Sequence, residues 1–184
     1  MANPEHVALV RQGAEAISTW RETPPFKQLN LHRADLRGAD LRGANLRAAD
    51  LTRGDLRGAI LIRASLIRTI FIRADLRQAH LHKAHLGGAD LRRADLTAAD
   101  LTEANLRKAD LTGANLTGAN LRQADLTGAN LTGANLCRAD LTGANLNGAT
   151  LPEEPVDGPK ARQRGDIEVE SALPQANMDG VEQS

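Results

Sequence analysis

The sequence predicts an all-β solenoid, and three observations carry that expectation. A five-residue unit of a small residue, Asp or Asn, Leu and two polar residues repeats without interruption through twenty-four pentads from Leu29 to Gly148, with a partial unit at residues 149–151. With the central residue called i, position i is Leu in twenty-three pentads and Phe71 in the other, and i−2 is Ala in twenty-one, the exceptions being Leu29, Gly54 and Thr69. Position i−1 is Asp or Asn in nineteen pentads, and Gly stands at i+2 in ten.

Each unit reads as a short extended stretch that points i−2 and i inward and i−1 outward. Because five is odd, a continuous strand would throw successive Leu residues onto opposite faces. An α-helix would rotate them by roughly 140° per unit around its surface. A corner in every pentad removes both conflicts and returns each Leu to a common axis. Gly at i+2 supplies the backbone freedom for such a corner, and Asp or Asn supplies a local acceptor for turn N–H groups. Ala at i−2 suits a narrow interior.

The period alone leaves open whether three or four pentads close a coil. Arg33, Arg53, Arg73 and Arg93 recur every twenty residues, which fits four sides better than three. The runs ADLRGADLRGANL at 34–46 and ANLTGANL at 114–121 resemble the pentapeptide-repeat family. That resemblance implies a right-handed quadrilateral β-helix of about six coils, with Leu and Ala inside and the other three positions outside. Six coils at the inter-strand spacing give a rod about 29 Å long.

Three regions follow. In residues 1–28, Asn3 is placed to cap a helix that starts at Pro4, and Val7, Val10, Ala14 and Ile17 fall on one helical face before Thr23-Pro24-Pro25 ends it. This segment is expected to be a short helical cap over one end of the solenoid, whose bare edges would otherwise invite association, with Trp20 and Phe26 near the first coil. Residues 29–151 are the β-helix. Residues 152–184 open with Pro152, Pro155 and Pro159, are acidic and polar, and are expected to be mostly disordered. A bare last coil at residues 133–151 makes an end-to-end homodimer an expectation, one that the family resemblance shares.

Composition removes several classes of function. No apolar stretch is long enough to span a membrane and no signal-like segment follows Met1, so a cytoplasmic protein is expected. Cys137 is the single cysteine, cannot form an internal disulfide and has no catalytic partner in the pattern. Asp and Asn are abundant because the corners use them, and no phosphate loop or nucleophile with a base stands out. No enzyme activity, cofactor or metal is expected. His80 and His82 flank Leu81, with His85 one corner on, but no Cys or further His completes a ligand set.

The net charge of zero hides an asymmetry: residues 29–93 carry +7, 94–151 carry −2 and 152–184 carry −5. The Arg33/53/73/93 column runs beside Asp35, Asp55, Asp75 and Asp95, followed by Arg37, Arg57 and Arg77, which reads as a charge-compensated face. Without interleaved aromatic residues, nucleic-acid binding is disfavoured. The acidic tail is a candidate to fold back on the basic columns.

The strongest irregularity is at 60–73. Leu61, Leu66 and Phe71 are core by register, whereas Ile60, Ile62, Ile67, Ile70 and Ile72 stand at positions that are polar elsewhere. Five branched apolar residues around three sides of adjacent coils, rimmed by Arg63, Arg68 and Arg73, form a candidate protein-interaction surface. Strand propensity or packing against the N-terminal segment are the alternatives.

The expected function is a non-catalytic protein-interaction scaffold or regulator with an unidentified protein partner. The family resemblance implies a second reading, a DNA-mimicking regulator of DNA gyrase, which the basic first half disfavours. Binding to ice through the Thr97/Thr117 and Thr112/Thr132 rows is a third, weakened by how short those rows are.

Overall fold

The computed structural model describes residues 1–22 and 28–153. Its repeat region has no long strands. Each pentad contributes one parallel bridge at i−1, and every bridge joins residues twenty apart, in a continuous series from Asn30–Asp50 to Asn130–Thr150. One coil therefore holds four pentads, and the four-sided alternative is the one adopted.

The hydrogen bonds explain why the unit is five residues long. Inside the rod, the N–H of i donates to the i−1 carbonyl one coil on, as Leu76 does to Asp95 at 2.7 Å. The N–H of i+2 donates to the next coil's i+1 carbonyl (Gln78 to Thr97, 3.0 Å), and the N–H of i−1 donates back to the preceding coil's i−2 carbonyl (Asp95 to Ala74, 2.9 Å). The next unit's i−2 N–H closes a turn onto the carbonyl of i, as Ala79 does to Leu76 at 3.0 Å. Four of the five N–H groups are thus used by backbone, and only that of i+1 lacks a backbone acceptor.

The i−1 side chain supplies the missing acceptor. In all nineteen pentads with Asp or Asn at i−1, Oδ1 accepts the i+1 N–H two residues on, for example Thr102 to Asp100 and Thr112 to Asp110, both at 3.0 Å. This Asx turn lets the corner close without an unsatisfied donor. The residue at i+2 has positive φ in every pentad, from 53° at Ala48 to 70° at Gly143, the arrangement of a type II turn. Gly fits that backbone without strain; fourteen other residues, among them Arg63, Arg68 and Arg73, accept it because the ladder on both sides fixes the corner.

The interior is a column of Leu and Ala. From Leu29 to Ala139 almost every i and i−2 side chain is buried, with Phe71 fully so. Thr69, the one buried polar residue among those described, donates its hydroxyl to the Leu46 carbonyl at 2.7 Å. Burial weakens in the last coil, where Leu141, Ala144, Leu146 and Ala149 are half-buried and Leu151 is 41% exposed.

The N-terminal segment differs from the expected single helix. It forms α1 (Pro4–Arg11) and α2 (Ala14–Arg21). Asn3 caps α1 by accepting the Glu5 N–H at 2.9 Å, with Pro4 in the first turn. Gly13, at φ 92°, then ends it and redirects the chain, a conformation that favours glycine. The apolar spacing did not reveal the break because Val10 and Ile17, both fully buried, would align on one long helix as well as on two short ones.

Both helices reach the first coil, whose outer edge presents carbonyls that no preceding coil can use. Asn3 N–H donates to the Asn30 carbonyl (3.1 Å), Arg11 to that of Asp35 (2.9 Å), and Arg21 to those of Asn45 (3.1 Å) and Arg47 (2.7 Å). His6 Nδ1 accepts the Asn30 N–H at 3.0 Å, and its ring packs edge-on against Trp20. Phe26, and all but the first residues of the expected disordered tail, lie outside the described residues.

The ladder predicts unequal costs for neighbouring residues. Asp100→Ala removes one acceptor from the Thr102 N–H and hydroxyl and should lower stability by about 1 kcal/mol. Asp100→Asn should retain most of it, whereas Leu101→Ala, in the core, should cost about 2–5 kcal/mol. Urea unfolding of the three variants checks the order.

Candidate interaction surface

Around the core the exterior is mostly a polar lattice held by the pentads themselves. On one side of the rod, Arg37, Arg57 and Arg77 at i+1 each grip the Asp35, Asp55 or Asp75 carboxylate of their own pentad through two N–H donors at 2.6–2.8 Å. Each lies 3.6–3.8 Å from the aspartate one coil on, Asp55, Asp75 or Asp95. Arg92 holds Asp90 in the same two-point grip. Arginine's planar fork makes this geometry, and the result is a ladder of alternating charge running along the rod.

The arginine hydrogen bonds hold the carboxyls of Asp35, Asp55, Asp75 and Asp90 below the usual carboxylate range. Partial burial of the last three opposes this shift without reversing it. Being half exposed, these pairs add little stability individually.

The corner column behaves differently. Arg33, Arg53, Arg73 and Arg93 at i+2 are exposed, and among the described residues none of them makes an ion pair. The compensation read from the sequence is therefore one-sided: the aspartates are committed to Arg37, Arg57 and Arg77, and the corner arginines keep their charge available.

The five pentads without Asp or Asn at i−1 have Ile60, Ser65, Ile70, His80 and His85 there, so all fall between residues 59 and 88. In each, the i+1 N–H, that of Ile62, Ile67, Ile72, His82 or Gly87, has no acceptor among the described residues. The isoleucine belt occupies the first half of this stretch, residues 60–73. Ile60 and Ile62 lie on one side, Ile67 on the next and Ile70 and Ile72 on a third; all five are half-buried, while Arg63, Arg68 and Arg73 are exposed beside them. No acidic residue occurs between Asp55 and Asp75. The belt thus offers apolar surface, guanidinium groups and uncovered N–H donors, with no carboxylate of its own. The sequence pointed to the isoleucines; the uncovered donors follow from the missing Asp and Asn, a signal whose meaning needed the hydrogen-bond pattern.

The N-terminal segment does not reach the belt with its hydrogen bonds, which go to residues 30–48. His80, His82 and His85 span two sides, and among the described residues no three His, Cys, Asp or Glu side chains converge as a ligand set. Cys137 is half-buried and its N–H is bound to Asn135. The Thr97, Thr112, Thr117 and Thr132 hydroxyls turn back onto the Asp or Asn of their own pentads at 2.5–2.7 Å rather than standing as a free row. No described helix is long and apolar enough to cross a membrane.

A four-sided solenoid whose every corner is one pentad defines a class of repeat protein. The family model for pentapeptide repeats matches eight copies, over residues 26–61, 59–97, 79–118, 89–128 and 119–152, and the chain belongs to that family. Membership implies a right-handed quadrilateral β-helix. Among solved structures, the chain is similar to the pentapeptide repeat protein Rfr23 of the cyanobacterium Cyanothece 51142 (38% identity over 55% of this chain and 63% of that one, TM-score 0.45). It is also similar to alr5209 of Nostoc Pcc 7120 (42%, 47% and 76%, TM-score 0.42). A third is HetL of Nostoc sp. strain PCC 7120, described as involved in heterocyst differentiation regulation (33%, 68% and 73%, TM-score 0.37). The chain spans under two thirds of the length of the Cyanothece protein. No curated protein matches it.

The ladder has a pH signature. A carboxyl whose pKa is depressed in the folded state adds stability above the ordinary aspartate value, about 3.9, and loses it as pH falls through the folded value. The thermal midpoint should therefore drop as pH is lowered below about 4. In Arg57→Gln/Arg77→Gln the drop should be shallower, as thermal melts between neutral and acid pH would show.

Proposed function

We propose that this chain is a non-catalytic protein-interaction scaffold or regulator, and that its partner binds the belt of Ile60, Ile62, Arg63, Ile67, Arg68, Ile70, Ile72 and Arg73. The observation that carries the reading is the coincidence, in one stretch of an otherwise self-satisfied exterior, of half-exposed isoleucines, uncovered backbone donors and unpaired arginines. Apolar anchors with a cationic rim suit a protein surface that brings its own carboxylates and carbonyls. A filled interior gives a substrate no cavity of the usual kind, and pentapeptide-repeat proteins are generally structural or regulatory. In this reading the two N-terminal helices act as the cap of the first coil, and the more open last coil is where a second copy would join. A gyrase-directed DNA mimic is not favoured, because the ladder neutralises the aspartates that such a face would need to display.

The test is capture of a partner by the full chain, its identification, and titration of the purified pair. Ile62→Asp/Ile67→Asp places carboxylates on two sides of the belt without touching the core. It should weaken the affinity by roughly tenfold or more, about 1.4 kcal/mol, with an unchanged circular dichroism spectrum. Unchanged affinity in a folded variant would overturn the belt as the binding surface.

A further inference from the structure

The side of the rod that carries Ile70 and Ile72 also receives the end of the chain. Bridges link Ile70 to Asp90, Asp110, Asn130 and Thr150 in turn, so the chain leaves the last coil on this side, four coil spacings or about 19 Å from Ile70. The corner of this side is the unpaired column Arg53, Arg73 and Arg93. Most carboxylates on or beside this side are held by other groups: Asp90 by Arg92, Asp55 by Arg57 and Asp75 by Arg77, while Asp95 and Asp110 accept from Thr97 and Thr112 and lie beside Arg77 and Arg92; Asp50, bridged to Ile70, accepts the Thr52 N–H and makes no ion pair among the described residues. The side therefore offers two isoleucines and the uncovered Ile72 N–H beside three corner arginines that make no ion pair among the described residues.

Beyond the described residues the sequence contains its chemical complement. Residues 166–173 read DIEVESAL, so Asp166, Glu168 and Glu170 alternate with Ile167 and Val169. This is the one place in residues 152–184 where acids and branched apolar residues alternate. An extended chain of this pattern places the two apolar side chains on one face and the three carboxylates on the other. The twelve intervening residues, 154–165, span up to about 40 Å, twice the distance required.

We infer that residues 166–173 of this chain dock on the Ile70/Ile72 side of the belt. Ile167 and Val169 cover the two isoleucines, and the long Arg53, Arg73 and Arg93 side chains reach around the segment to its carboxylates. The inference rests on reading the belt as a docking surface. It has the chain itself cover one side of the belt, so that a partner reaching Ile70 and Ile72 displaces residues 166–173, while Ile60, Ile62 and Ile67 stay open to it.

Amide NMR of the full chain tests it. Ile167→Asp/Val169→Asp should shift the amide signals of Ile70, Ile72, Arg73 and Arg93, and Ile70→Asp/Ile72→Asp should shift those of residues 166–170. Wild-type signals should not change on dilution. Changes confined to the neighbours of each substitution, or displaced to Leu141–Leu151, would overturn the inference. So would signals that change on dilution, which would mark exchange between copies. Partner capture through Ile62 and Ile67 is read separately, so failure of either result leaves the other standing.

Discussion

One backbone N–H per pentad decides how this molecule is built. Stacking and turning use four of the five donors, and the fifth, at i+1, makes no backbone hydrogen bond. Leaving a backbone donor without a protein partner at each corner would accumulate over twenty-four corners. A short side chain with an oxygen two residues earlier answers it, which is why i−1 is Asp or Asn in nineteen pentads and why each of them makes the same bond. The Leu and Ala positions fill the interior; the Asx bond allows the chain to turn often enough for that interior to be square.

The same constraint gives the exterior its chemistry. Once Asp is required at i−1, an Arg at i+1 finds a carboxylate within reach in its own pentad and another one coil away, and a charge ladder follows. Where Thr occupies i+1, as in every such pentad from Thr97 to Thr142, the hydroxyl falls onto that same oxygen. Most of the surface is thus satisfied internally and has little left to offer a partner. Five of the six pentads from residue 59 to 88 depart from the rule, that of Asp75 keeping it; Ile60 and Ile70 put an apolar side chain in place of the acceptor, with Ile62, Ile67 and Ile72 beside them. The distinctness of this stretch as a surface comes from both changes together.

Much of this was legible in the sequence. The inward residues follow from the period, and the twenty-residue recurrence of Arg33, Arg53, Arg73 and Arg93 favoured four sides before any bridge was seen. Two features were not legible. The break at Gly13 was hidden because Val7, Val10, Ala14 and Ile17 keep helical spacing across it. The sequence also could not say which arginine column neutralises Asp35, Asp55 and Asp75: both columns are adjacent to them, and only the turn geometry gives the two-point grip to Arg37, Arg57 and Arg77.

The most direct measurement is residue-resolved amide hydrogen exchange at the i+1 positions. If the Asx bond closes the corners, the N–H groups of Thr97, Thr102 and Thr112 exchange slowly, and those of Ile62, Ile67, His82 and Gly87 exchange much faster at matched pH and temperature. Equal protection in the two sets would contradict the account, because the belt's donors would then be satisfied in the same way as those of every other corner.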